Sequence, residues 1–213
     1  MQKLKKVRLM SKILINIASN LRCLIIPVMI TLLLQGCSTT QGSADKNSIS
    51  LSNIDKENYQ QALSEFKSGN IKSAEIKFQK IIHNNPNIAN AYINLAIIYL
   101  NQNHLDLAED SLSKALKLTP ENIYALNYMG IIQRKKGDFA QAKSLYEKAL
   151  SIEPDYAYAH LNIGILFDLY FYDYKNAIEH YKKYQELTEN KDKSVKKWII
   201  DLERRLQKTV ASK

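Results

Sequence analysis

Apolar and polar positions along most of this chain repeat on two scales. The longer scale is a set of columns 34 residues apart: Pro86, Pro120 and Pro154; Ala74, Ala108 and Ala142; Ala62, Ala96, Gly130 and Gly164. Large apolar residues keep the same interval, with Phe78, Leu112 and Tyr146 in one column and Leu95, Met129 and Ile163 in another. Independent columns at one period define internal repeats, and a repeat of this length is a supersecondary unit that buries its apolar face only by stacking on its neighbours. The shorter scale is helical. Between Asp192 and Gln207, the residues Val195, Trp198, Ile199, Leu202 and Leu206 fall on one stripe, with Lys, Arg, Asp and Glu opposite; this predicts an amphipathic helix. Proline closes each of the first three units because it cannot continue a helix.

The period, together with the stretch "ANAYINLAIIYLNQNHLDLAEDSLSKALKLTPEN" from Ala89 to Asn122, resembles the tetratricopeptide repeat (TPR). That resemblance implies an all-α fold: a right-handed α-solenoid of about four helix pairs, in units 55–88, 89–122, 123–156 and 157–188. A capping helix and tail follow in 189–213. The fourth unit keeps Gly164, Ala177 and Tyr181 but carries one extra residue near "LYFYDY" and lacks the closing proline. By the family pattern, the column Ala62, Ala96, Gly130 and Gly164 lies where the first helix of each pair meets the second. Gly69 and Gly137 then suit the turn between helices, where positive φ is required, with Asn103 as the next-best residue. A solenoid needs an end cap that is apolar inward and polar outward, and the last helix suits that role, with Trp198 in its core.

The N-terminus reads differently. Lys3, Lys5, Lys6, Arg8, Lys12 and Arg22 stand without an acidic residue ahead of "LIIPVMITLLL", Leu24 to Leu34. A basic region before a short apolar run is an export signal, occupying 1–36 from either Met1 or Met10. The run has 11 residues and contains Pro27, whereas a spanning helix needs about 20 apolar residues. A permanent transmembrane anchor is therefore the weaker reading, and a plain secretory signal with an incidental cysteine is the other. Leu34-Gln35-Gly36-Cys37 resembles the lipobox of bacterial lipoproteins, which implies that Cys37 becomes the first mature residue and carries palmitate-type acyl chains. Each buried methylene contributes about 0.8 kcal/mol of membrane affinity, so several chains anchor stably where one is marginal. In many Gram-negative relatives an aspartate after the cysteine signals inner-membrane retention. Ser38 stands there, which implies the periplasmic face of the outer membrane, or the outer face of the plasma membrane in a Gram-positive host. Residues 37–54, rich in Ser, Thr and Asn, form a flexible tether because they cannot bury enough surface to offset their ordering entropy.

Charge and chemistry then narrow the function. The formal net charge is +9, of which the export signal supplies six. The remaining +3 reads as a mild excess spread along the chain, unlike the dense basic face of a nucleic-acid binder. Cys23 lies in the export signal and Cys37 at the acylation site, so no thiol is left for a disulfide, metal or nucleophile. His83, His104, His160 and His180 share no metal-ligand spacing, and there is no glycine-rich phosphate loop or nucleophile elbow. The adjacent acidic pair Glu109 and Asp110 reads as a solvated helix face. These observations point away from an enzyme, a metal site, a cofactor or a small-molecule substrate.

What remains is a surface for protein partners. The family pattern places a concave groove along the first helices. It would be lined by Tyr59, Leu63 and Phe66, then Asn90, Ile93, Ile97 and Leu100, then Tyr124, Asn127, Ile131 and Arg134, and finally Tyr158, Leu161, Ile165 and Asp168. Contiguous apolar surface marks interaction sites, and tyrosine is a common hot-spot residue. Chaperone-binding relatives clamp a terminal carboxylate with cations and asparagine; here Asn94 matches, but Tyr59, Leu63, Tyr124 and Tyr128 replace the other clamp residues. A buried carboxylate without cationic partners is costly, so an apolar or aromatic segment, helical or extended, is the expected occupant. A second surface is expected at Tyr170, Phe171 and Tyr172 on the lengthened loop, with Phe167, Tyr181 and Tyr184 inside. The resulting expectation is a lipid-anchored adaptor or assembly factor of an envelope complex. It resembles the pilotins that assist type IV pilus secretin assembly, with recruitment of cell-wall enzymes as the alternative.

Overall fold

The structure, a computed structural model, describes residues 53–211. The export signal, Cys37 and all but the end of the tether lie outside the described residues. Within them the chain is helical throughout, without a strand. Nine α-helices run in order: α1 Asn53–Lys67, α2 Ile71–Asn84, α3 Ala89–Asn101, α4 Leu105–Leu118, α5 Ile123–Lys136, α6 Phe139–Ile152, α7 Ala157–Leu166, α8 Tyr174–Leu187 and α9 Lys193–Ala211. A π-helical turn, Phe167–Phe171, is inserted between α7 and α8. The described residues divide into two units, up to Lys77 and from Phe78 onward, with the boundary inside α2.

In the first unit, α1 and the start of α2 meet through Gly69, at φ +82°. Ala62 and Ala74 are fully buried, and Lys77 Nζ donates to Gln61 Oε1 at 3.4 Å. In the second unit, α3 packs on α4, α5 on α6 and α7 on α8, and each pair stacks on the next through α4 with α5 and α6 with α7. The first helices α3, α5 and α7 also touch in sequence, so they share one face. This is the all-α helical solenoid that the repeat implies. The last helix, α9, packs on α8; Val195, Trp198 and Leu202 are buried, and the Trp198 ring lies 5.6 Å from that of Tyr181.

The helices begin and end where local chemistry dictates. Asn122, Asp138 and Asp173 precede α5, α6 and α8, and each side chain accepts from a backbone N–H three residues on, at 3.0, 2.9 and 3.2 Å. Such caps satisfy donors that a helix start leaves open. The turns within the pairs hold Asn103 at φ +62° and Gly137 at φ +92°. Between the pairs, Lys136 Nζ reaches Asp106 at 2.6 Å and Glu109 at 2.5 Å, while Gln133 Nε2 donates to Glu109 at 2.7 Å. Glu109 is therefore not simply solvated. Its hydrogen bond from Lys136 holds its carboxyl below the ordinary pKa, and it ties α4 to α5.

In two of the pairs the helices approach closely at a glycine. A methyl added at Gly130 would sit 2.4 Å from the Tyr146 ring, and one at Gly164 would sit 2.6 Å from the Tyr181 ring. Both rings are fully buried and cannot swing away. The Gly130→Ala substitution should therefore cost about 1–3 kcal/mol through overpacking. Adding Tyr146→Leu, the pairing that Ala96 and Leu112 occupy one repeat earlier, should recover most of it. Urea unfolding of the two variants checks both outcomes.

Candidate functional site

The face shared by α3, α5 and α7 brings the expected groove residues of the second unit into rows. They differ in how much surface they present. Tyr124 is 54 % exposed, and Tyr158, Ile97, Leu100 and Arg134 are half-buried. Ile93, Asn127, Ile131, Leu161 and Ile165 are buried, as is Asp168. The cause is the close approach of successive first helices, which wedges these side chains between them. Asn162 Nδ2, for example, donates to Asn127 Oδ1 at 2.9 Å across α5 and α7. In the first unit Tyr59, Leu63 and Phe66 are half-buried.

Around the exposed edge of this face the structure assembles tyrosines that the sequence left separate. Tyr124 meets Tyr156 edge-on at 5.5 Å between ring centroids, Tyr156 meets Tyr158 at 6.1 Å, and Tyr158 meets Tyr184 at 6.3 Å. Edge-to-face and tilted contacts at such spacing are favourable for aromatic quadrupoles. Burial pushes the Tyr156 and Tyr184 hydroxyls far above the usual phenol range, and raises those of Tyr128 and Tyr158 as well. These phenols stay neutral, so they offer flat apolar area and hydroxyl hydrogen bonds without charge. Tyr156 and Tyr184, which enter from the inter-repeat turn and from α8, are themselves buried, Tyr156 in the core with Ile123, Leu126, Ala149 and Ala159.

The lengthened loop of the fourth unit is accounted for by the π-helical turn, which absorbs one extra residue. Tyr172 then stands at the turn position that Gly69, Asn103 and Gly137 hold in the other pairs, at φ +57°. A bulky residue is strained in that region, by roughly 1–2 kcal/mol. Phe171 and Tyr172 are 41 % and 56 % exposed, whereas Tyr170 is half-buried and stacks on Phe139 at 4.1 Å. Inside, Tyr181 and Tyr184 are buried as expected, and Phe167 is half-buried. Relief of the strain is measurable: Tyr172→Gly should stabilise the fold by about 0.5–1 kcal/mol once the extra backbone freedom of glycine is counted. An unchanged or lower melting temperature would contradict it.

Two histidines without a shared motif also converge. His160 and His180 place their Nδ1 atoms 3.0 Å apart, and His160 Nε2 lies 2.9 Å from the Pro154 carbonyl oxygen. Burial, and then the charge of His160, push the His180 pKa down to about 4, against opposing effects of Glu179 and Glu147. A histidine held neutral in the fold but free to charge when unfolded binds more protons in the unfolded state between its two pKa values. Stability should therefore fall as pH drops from 6.5 to about 4. Chemical unfolding across that window should show a flatter slope in His180→Gln. Among the described residues no group of three His, Cys, Asp or Glu converges as a metal would require, and no helix is long and apolar enough to cross a membrane.

With this geometry in place, comparison with known proteins defines the class. Tetratricopeptide repeat models match residues 89–122 and 123–156. No protein of curated function matches the sequence. Among solved structures, PilF of Pseudomonas aeruginosa is 23 % identical over 73 % of this chain and 70 % of that one, with a TM-score of 0.65. A thermophilic TPR protein of Thermus thermophilus is 18 % identical over 70 % and 80 %, with a TM-score of 0.60. The first TPR of Spaghetti (RPAP3), bound to the HSP90 peptide SRMEEVD, is 19 % identical over 56 % and 93 %, with a TM-score of 0.52. At these identities the likeness is one of fold. The chain carries tetratricopeptide repeats in a TPR-like helical solenoid, a protein-interaction fold.

Proposed function

We propose that this protein is a lipid-anchored adaptor that holds a partner segment on the face of α3, α5 and α7 as part of an envelope complex. The observation that carries the reading is the cluster in which exposed Tyr124 and half-buried Tyr128 and Tyr158 gather around the buried, neutral Tyr156. A surface of that kind gains from burying apolar and aromatic side chains and can direct hydroxyls at backbone carbonyls. Arg134 is the one cation among the groove residues named above, and the tyrosines bring no charge, so the face offers an acidic peptide terminus little compensation and suits an apolar or aromatic segment. The basic, apolar N-terminus and the Leu34 to Cys37 motif supply the anchor, with acylation at Cys37 and a tether to the solenoid. Ser38 favours the periplasmic face of the outer membrane. Within that setting, a pilotin-like role in secretin assembly is one specific form, and the likeness to PilF bears on the fold alone. Recruitment of cell-wall enzymes is the alternative.

A second reading uses the exposed Phe171 and Tyr172. A strained backbone kept at an exposed aromatic loop is the pattern of a functional site, and this loop would extend the contact beyond the groove.

Both halves of the proposal are open to test. Cys37→Ala should abolish metabolic palmitate labelling, and unchanged labelling would refute the anchor. For the groove, Tyr124→Ala with Tyr158→Phe should weaken binding of the captured partner at least about tenfold while the melting temperature changes little, because the phenylalanine keeps the ring that packs against the core and loses only the hydroxyl. Ile131→Glu, which places a charge at a fully buried position, should instead unfold the solenoid, and it serves as the control that separates lining from core.

A further inference from the structure

The outward face of α9 is dominated by positive charge, with the partly exposed carboxylates of Asp201 and Glu203 at its margins in ion pairs. Between Lys193 and Lys208 the exposed side chains are five cations (Lys193, Lys196, Lys197, Arg204 and Lys208), Ile200 and a glutamine, with no anion among them. The acidic residues in and around this helix are engaged elsewhere. Asp192 accepts from the backbone N–H groups of Ser194 and Val195 at 2.8 and 3.1 Å and so caps the helix. Asp201 pairs with Arg205 at 2.7 Å, and Glu203 crosses to Lys182 of α8 at 2.7 Å. Among the described residues none of the five exposed cations makes an ion pair.

This arrangement changes the reading of the net charge. Residues 53–188 hold fifteen basic and sixteen acidic side chains, whereas 189–211 hold seven and four. The excess is therefore not spread along the chain but confined to its last helix. Lys193, Lys197, Ile200, Arg204 and Lys208 recur at helical intervals and make one straight stripe about 22 Å long. Ile200, 48 % exposed, sits at its middle. The opposite face of α9 is already used against the solenoid, where Val195 and Leu202 are fully buried, so the helix does not turn over and insert.

We propose that this stripe docks on an anionic phospholipid bilayer and orients the second unit along the membrane surface. Clustered Lys and Arg on a helix face suit anionic headgroups, which are mobile enough to gather beneath them. A covalent lipid with a basic patch also gives the two signals that stable anchoring takes. The stripe lacks the stacking aromatics of a single-strand nucleic-acid platform. The proposal rests on the export and lipid reading only for the membrane it would meet.

The test uses the full-length chain with Cys23→Ser and Cys37→Ser, so that no acyl chain is present, and a polarity-sensitive fluorophore on Ile200→Cys. Its emission should shift to the blue on vesicles of phosphatidylcholine with phosphatidylglycerol, but not on phosphatidylcholine alone, and added salt should reverse the shift. A probe at Leu107→Cys on α4 should stay unshifted. Replacing Lys193, Lys197, Arg204 and Lys208 together by glutamine should cut the shifted fraction at least about tenfold, with circular dichroism unchanged. The basic N-terminus is common to both proteins, so the difference reports α9. Unshifted emission at position 200 on anionic vesicles, an equal shift in the glutamine variant, or a shift produced by DNA but not by vesicles would overturn the proposal. Acyl mass at Cys37 in the unmodified chain is measured separately, so failure of the lipid reading is distinguished from failure of this one.

Discussion

The paired helices of the second unit close on one another at points where one partner has almost no side chain. At Gly130 and Gly164 the facing residue is a buried tyrosine whose ring would collide with even a methyl group. That contact sets the separation of the helices within a pair. The separation in turn sets how closely successive first helices approach, and their approach decides which groove residues are wedged in and which remain available. Small residue against large ring is thus a volume match seen twice, and alanine and leucine occupy the matching columns one repeat earlier, at Ala96 and Leu112. Interiors packed to crystal-like density tolerate such swaps only in matched pairs.

Much of this was legible in the sequence for a physical reason. A repeat that packs on copies of itself must present the same sizes at the same positions, so the columns of Ala62, Gly130 and Gly164, or of Phe78, Leu112 and Tyr146, record the packing directly. The cap helix was legible because one apolar stripe has one place to go. Other features depend on contacts between positions with no fixed spacing. Burial of Ile131 and Leu161 follows from the approach of neighbouring helices, and the meeting of His160 with His180 from their places on α7 and α8. The extra residue of the fourth unit was visible, but not that a π-helical turn would absorb it and leave Tyr172 in a left-handed conformation. Net charge gave no hint of location: its concentration on α9 emerges only once Asp192, Asp201 and Glu203 are seen to be occupied.

Function in this account divides between three parts of the chain. In the proposal, Cys37 would provide attachment and the face of α3, α5 and α7 recognition, while α9 ends the solenoid and would orient it on the membrane. None of these requires catalysis. Each is a surface or a linkage that a repeat fold can carry without disturbing its core, because the core is built from the positions the repeats share.

The central claim is that partners are held on the first-helix face. Its most direct measurement is site-specific photocrosslinking in the native host, with a photoreactive amino acid at Tyr124, at Tyr158, or at Ile152 on α6, which is also exposed. The account predicts one discrete protein adduct from Tyr124 and Tyr158 and none from Ile152. Adducts of equal intensity from all three, or from Ile152 alone, would contradict it.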